Sequence, residues 1–231
     1  MIHASNFSTE ALLAELLDWV RIESPTYDPA AVNRMVDFIA PRIGALGFSI
    51  ERLGGRDGYG DILRCRRPGD GPGILMIAHA DTVHPVGTLA SKLLIRREGD
   101  KCFGPAIYDM KGGTVIALAA MKAVIDANKL NLPVTFIINP DEEIGSPTSR
   151  ELIEAEAKRH RYVLIPEPAK ASGVRSRRDA TPSNAFSSLR TDAPRTPAGP
   201  TGMVARPCAS WLRSWRSSRA APILTMDLRM R

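Results

Sequence analysis

With 231 residues, 44% of them hydrophobic, the chain is long enough for one substantial core or two small ones, which excludes fibrous and wholly disordered classes. Its net charge of +6 sits at one end: residues 172 to 231 hold 11 Arg against 3 Asp, a balance of +8, and residues 1 to 171, with 20 basic and 22 acidic groups, carry −2. A charge-based argument for phosphate or membrane-surface partners therefore applies to the tail alone.

The elements follow in chain order. Apolar residues at helical spacing predict helices over about 9 to 21 ("TEALLAELLDWVR") and 30 to 46 ("AAVNRMVDFIAPRIGAL", closed by Gly47). Short apolar runs at 48 to 53, 61 to 66 and 73 to 78 read as strands. A helix at about 114 to 128, a strand at 133 to 138, a helix at about 147 to 158 and a strand at 161 to 165 complete the alternation. Such alternation predicts an α/β fold: a largely parallel sheet with helices on both faces. No internal repeat is present.

After residue 171 the composition changes. The last 60 residues contain 9 Ser, 8 Ala and 6 Pro, no Glu, Lys, Tyr or His, and no sustained period of 3.6 or 2. Such a segment buries too little apolar surface to offset its ordering entropy, so 172 to 231 is expected to be a disordered tail. The N-terminus lacks a basic stretch followed by an apolar one, and no apolar run approaches the roughly 18 residues of a membrane span, so a cytoplasmic protein with no membrane partner is expected. Cys65, Cys102 and Cys208 are odd in number and widely spaced, which supports neither a disulfide framework nor a Cys-based zinc site.

Four stretches carry the chemistry: "IAHADTV" (77 to 83), "GPAIYDMKGG" (104 to 113), "NPDEEIGS" (139 to 146) and "IPEP" (165 to 168). Each lies at the end of a predicted strand or the start of a helix. In open α/β sheets ligands bind at the C-terminal strand ends, so His79, Asp81, Asp109, Glu142, Glu143 and Glu167 are expected to converge on one crevice. That many carboxylates in one place require a cation, because otherwise like charges repel and some must protonate. Residues i and i+2 of a strand point to the same side, so Asp81 can accept the second ring N–H of His79 while the other nitrogen binds metal. Glu142 and Glu143, adjacent in an extended backbone, point differently: one can ligate metal while the other acts as general base. Gly112 and Gly113 let the backbone pass close to the site, and the helix they open favours a carboxylate such as Asp109. Lys111 is expected to be a solvated lysine at that helix start, His84 a solvated loop residue near the site mouth, and His3 and His160 surface residues.

In this order the four motifs resemble the co-catalytic zinc peptidase and amidohydrolase family of glutamate carboxypeptidase, acetylornithine deacetylase, succinyl-diaminopimelate desuccinylase and aminoacylase. The resemblance covers roughly residues 9 to 170. It implies a three-layer zinc-exopeptidase-like sheet, incomplete here, and a zinc-dependent hydrolase acting on the amide bond of N-acyl amino acids or small peptides. It further implies two divalent ions, zinc by preference with cobalt or manganese as alternatives. His79 and Glu167 would be ligands of one ion, Asp109 the carboxylate bridging both, Glu143 a ligand of the second, Glu142 the general base and Asp81 the residue orienting His79. The stretch from 79 to 113 is most similar to the glutamate carboxypeptidase branch.

Two departures stand out. The family's usual Gly-Pro-Gly is Gly104-Pro105-Ala106 here. Family members also continue through a smaller lid and dimerisation domain and return to supply a last histidine, so the second ion site is expected to be incomplete, homodimerisation to lack its domain, and activity to be impaired. A change of reading frame near codons 171 to 175 is the expected origin of the tail, and translation of the other two frames checks it. The alternative function is nucleic-acid binding through the basic tail, with Trp211 and Trp215 stacking on bases, although its arginines form no helical face or recognised module.

Overall fold

A computed structural model describes residues 2 to 168 and 223 to 225. Two helices open the chain, α1 (Thr9–Val20) and α2 (Pro29–Gly44), each started by a side-chain cap: Ser8 Oγ accepts from Ala11 N–H, and an Asp28 carboxylate oxygen from Ala31 N–H at 2.9 Å. There follow β1 (Ser49–Leu53), β2 (Ile62–Arg67), β3 (Ile74–His79), the single turn α3 (Thr88–Ser91), β4 (Arg96–Glu98) and β5 (Lys101–Phe103). Then come α4 (Gly112–Asp126), β6 (Val134–Asn139), α5 (Arg150–Ala157), β7 (Tyr162–Ile165) and β8 (Ile223–Thr225).

The main sheet has the order β1-β2-β6-β3-β7-β8. Its centre, β3 and β6, is buried along almost its whole length, which is why these strands read as continuous apolar runs without polar alternation. Alternate residues of each strand feed opposite layers. Met76, Ala78, Phe136 and Ile138 face one cluster with Trp19 and Val20 of α1, Ile39 and Ile43 of α2 and Val115 of α4. Leu75, Ile77 and Ile137 face a second cluster with Ile153 and Ala157 of α5. The fold is therefore three-layered, helices over both faces of one sheet.

The sheet is mixed where a largely parallel one is expected. β3 pairs in parallel with β6 and β7, and β7 with β8, but β1 with β2 and β2 with β6 are antiparallel. A helix returns the chain between β3 and β6 and again between β6 and β7, whereas only a loop joins β1 to β2, and a parallel pair needs a longer crossover than that. The small β4–β5 hairpin escapes sequence reading because its strands, "RRE" and "KCF", contain no apolar run. Within the tail the structure describes only β8, so the expectation of disorder, like the arginines and tryptophans of 172 to 222, lies outside the described residues. No helix among the described residues is long and apolar enough to cross a membrane.

This topology determines where a site can form. From β3 the chain moves to β6 on one side, and from β6 it crosses to β7 on the other. The C-terminal end of β3 is thus a switch point where neighbouring connections leave in opposite directions, opening a crevice.

Candidate metal centre

His79 is the last residue of β3 and is 3% exposed. Its Nδ1 lies 2.9 Å from the backbone carbonyl of Asp81 and 3.3 Å from the Asp81 carboxylate. A carbonyl can only accept, so Nδ1 carries a hydrogen, and Nε2 is the ring nitrogen turned to the crevice. The nearer acceptor is therefore Asp81's own carbonyl rather than the carboxylate expected from the strand period. Facing Nε2 are Asp109 Oδ1 at 3.2 Å, Glu167 Oε1 at 3.6 Å and Glu142 Oε2 at 3.9 Å.

Ligand atoms of His79, Asp109 and Glu167 lie within 4.8 Å of one another. Each comes from a different part of the sheet edge: His79 from β3, Asp109 from the turn before α4, Glu167 from the segment after β7. One imidazole nitrogen and two carboxylate oxygens are the donor types that zinc accepts. Glu143 is not in this cluster.

The electrostatics fit a cation as well. Burial pushes the Glu167 carboxyl up to about 8, reinforced by the charges of Asp109 and Glu142 and opposed by His79. Burial likewise raises Glu143 to about 7. His79 is buried, which disfavours its charged form, yet hydrogen bonds to Asp109 and Asp81 outweigh this and hold it well above 6.5. Asp109, bonded to His79, is lowered despite its own burial. Acids held protonated around a histidine held charged are the pattern expected of a metal site whose charge balance includes a divalent ion.

Glu142 and Glu143 do not lie in extended backbone; they begin a 3-10 turn, Glu142–Ile144. Successive side chains of such a turn diverge by about 120°, so the two glutamates still point apart, for a different reason. Asp141 precedes them, fully buried, and its carboxylate accepts from Thr148 N and Oγ1 and from Ser149 N and Oγ. These bonds fasten the 141–149 loop. Gly145, at φ +92, reverses the chain where a side chain would be strained. A cavity of about 20 Å3, room for one water-sized group, is lined by His79, Met110, Asn139, Glu142, Ser146 and Glu167. Asn139 Oδ1, buried beside it, has no hydrogen-bond partner among the described residues. Neither Asp141 nor Asn139 is singled out by sequence reasoning, since a buried polar residue has no periodic signature.

The expected close approach at the start of α4 is present. A Cβ added to Gly113 would lie 1.8 Å from the carbonyl oxygen of Pro166, the residue before Glu167. Gly113→Ala is expected to destabilise the protein by at least about 1–3 kcal/mol and to weaken metal binding by displacing Glu167. Thermal melts with and without zinc check both; an unchanged melting temperature would contradict the overpacking. Ala106, at the family's second Gly-Pro-Gly glycine, has φ +56 and is 6% exposed. The left-handed conformation costs a residue with a Cβ about 1–2 kcal/mol, and glycine's greater freedom in the unfolded chain offsets about 0.4–1 kcal/mol of its relief. Ala106→Gly is thus expected to stabilise by up to about 1.6 kcal/mol, read as a higher midpoint in urea.

Two lesser expectations are corrected. Lys111 is not solvated: at 4% exposure its Nζ donates to the carbonyls of Trp19 (3.2 Å) and Ile22 (2.6 Å), capping the end of α1, and burial lowers its pKa to about 8. His160 is not a surface residue but half-buried, its ring nitrogens 2.6 Å from Glu156 O and 2.9 Å from Thr135 Oγ1, tying α5 to β6. His84 is half-buried, and burial together with the Lys111 charge lowers its pKa.

Comparison with known proteins agrees with this geometry. The model for peptidase family M20/M25/M40 matches residues 75 to 192. Carboxypeptidase G2 of Pseudomonas sp. (strain RS-16) is 34% identical over 174 residues, covering 74% of this chain and 42% of that protein. Acetylornithine deacetylase of Myxococcus xanthus is 26% identical over 172 residues, 72% of this chain and 44% of that protein. The chain thus spans less than half the length of these relatives. Human carnosine dipeptidase 1 superposes with a TM-score of 0.59 at 21% identity, over 68% of this chain and 38% of that one. An M20 family metallo-carboxypeptidase from Sulfolobus solfataricus superposes at 0.57, also with 21% identity, over 68% and 37%. With the family model matching 118 of 231 residues, and the strand-end histidine and carboxylates arranged as described, the chain belongs to peptidase family M20/M25/M40.

Proposed function

We propose that the chain carries the metal centre of a zinc-dependent hydrolase that cleaves the amide bond of N-acyl amino acids or small peptides. The observation that carries this reading is the clustering of His79, Asp109 and Glu167 ligand atoms within 4.8 Å, with Glu142 Oε2 3.9 Å from His79 Nε2. His79, Asp109 and Glu167 would hold one ion, and Asp109 together with Glu143 would hold a second. When bound, such ions supply Lewis acidity that polarises a carbonyl and lowers the pKa of water.

The remaining steps belong to the chain's own side chains. Asp81 keeps the hydrogen of His79 on Nδ1, so that Nε2 stays a ligand. Glu142 Oε2, on the wall of the small cavity, takes the proton of the attacking water and delivers it to the departing amine nitrogen. The relatives named as a carboxypeptidase and an acetylornithine deacetylase support a substrate class that spans peptides and N-acyl amino acids.

The test is to titrate the purified 231-residue chain with zinc or cobalt, then assay it against a panel of dipeptides and N-acyl amino acids. Metal-dependent release of a free amine is the expected result. A chain that binds no divalent metal would overturn the reading.

A further inference from the structure

The segment between α1 and α2 has no part in the motifs, yet it is zipped onto the metal centre. Thr26 N donates to Thr82 O at 3.2 Å, Thr82 N to Ser24 O at 2.9 Å and Ser24 Oγ to Ala80 O at 2.7 Å, with Pro25 and Thr82 forming a parallel bridge. Residues 24–26 thereby continue the sheet alongside residues 80–82, beyond the end of β3. This places the Thr26 side chain, 3% exposed, against Asp81, 2% exposed. Thr26 Oγ1 lies 2.8 Å from Asp81 Oδ2 and 3.5 Å from Thr82 O. A hydroxyl has one proton, and the shorter bond to a carboxylate takes it.

Asp81 is the joint of the site. Oδ2 accepts from Thr26 Oγ1 and from Glu143 N at 3.2 Å; Oδ1 accepts from Glu142 N at 3.2 Å and lies 3.3 Å from His79 Nδ1. One buried carboxylate therefore holds the ligand histidine and the backbone of the turn that carries both glutamates. Of the four donors, Thr26 Oγ1 makes the shortest contact and is the one that belongs to neither a metal ligand nor the Glu142–Glu143 turn.

We propose that Thr26 is a positioning residue of the metal centre, fixing through its hydroxyl the Asp81 carboxylate that in turn sets His79 and the Glu142–Glu143 turn. This rests on the metal-centre reading above. Outer partners of metal ligands commonly contribute tenfold to a hundredfold in metal affinity, and Thr26 acts through one of them, Asp81, so Thr26→Val is expected to weaken cobalt(II) binding several-fold, to about tenfold. Thr26→Ser, which keeps the hydroxyl, is expected to restore it.

The experiment titrates the full chain with cobalt(II), following its visible absorption, for the wild type, Thr26→Val, Thr26→Ser, Asp81→Asn and the double variant Thr26→Val/Asp81→Asn. Melts of the metal-free proteins run in parallel. Support consists of weakened binding in Thr26→Val, recovery in Thr26→Ser, and little added effect of Thr26→Val on the Asp81→Asn background. Wild-type affinity in Thr26→Val overturns the proposal. So does equal weakening in Thr26→Val and Thr26→Ser, or full additivity with Asp81→Asn. If Thr26→Val does not fold, Thr26→Ala is held to the same outcomes. A wild-type chain that binds no cobalt would instead overturn the metal-centre reading itself.

Discussion

Zinc added to the metal-free chain is expected to raise its melting temperature by about 8–16 °C when free zinc is about a thousandfold above Kd, and this gain is expected to disappear in His79→Ala. A ligand that binds only the folded state at that excess contributes about 4 kcal/mol, and each kcal/mol moves the midpoint of a domain this size by about 2–4 °C. The gain also depends on pH, with opposite signs for the two forms. In the metal-free folded chain Glu143 and Glu167 release their protons near about 7 and about 8, against 4.5 for an ordinary glutamate. Between those limits the folded state binds more protons than the unfolded one, so stability falls as pH rises. His79 acts in the same direction: its folded pKa lies above 6.5, and the stability it contributes below that pH is lost as pH climbs through the folded value. Asp109, lowered from 3.8, contributes its full share throughout this range. Zinc binds the deprotonated ligands, so its affinity rises over the same interval. Melts in chelator should therefore decline from pH 5 to pH 8.5 while the zinc-induced increment grows. An increment that shrinks with pH would show that the raised carboxyls are not the ligands.

Glu142→Gln is expected to lower kcat by about 10²–10⁴-fold, the usual contribution of a general base, while leaving the metal affinity nearly unchanged. The separation follows from geometry. Glu142 Oε2 is near His79 Nε2, yet the three-ligand cluster forms from His79, Asp109 and Glu167 without it. Glutamine keeps the size of the side chain and its backbone bond to Asp81, so a change in kcat reports the lost proton acceptor. Glu167→Gln provides the contrast, since it should lose metal and turnover together. Glu142→Gln with undiminished kcat would remove Glu142 from the role of base.

Much of this molecule is legible along the chain because its signals are local. The helices and long strands announce themselves through apolar spacing, and α1, α2, β3 and β6 fall where that spacing places them. A strand that ends in His79, with Glu142 and Glu143 just beyond β6 and Glu167 just beyond β7, points to a cation, since like charges gathered at a sheet edge repel without one. What the order of residues cannot express is pairing between distant segments. The antiparallel edge of β1 and β2 depends on which strand lies beside β6. Lys111 reads as a solvated helix-start residue until α1 is docked and its terminal carbonyls offer buried acceptors. Thr26 reads as a loop residue until Asp81, 55 positions away, is brought against it. Periodicity records which face of an element is apolar, but a buried polar contact is one residue meeting one other, with no repeat to betray it. The sequence by itself determined the three-layer class, the family and the set of candidate ligand residues; the tertiary structure alone decided how Asp81 binds Thr26, His79 and the Glu142–Glu143 turn into one unit, because only folding brings a single buried carboxylate within reach of all three.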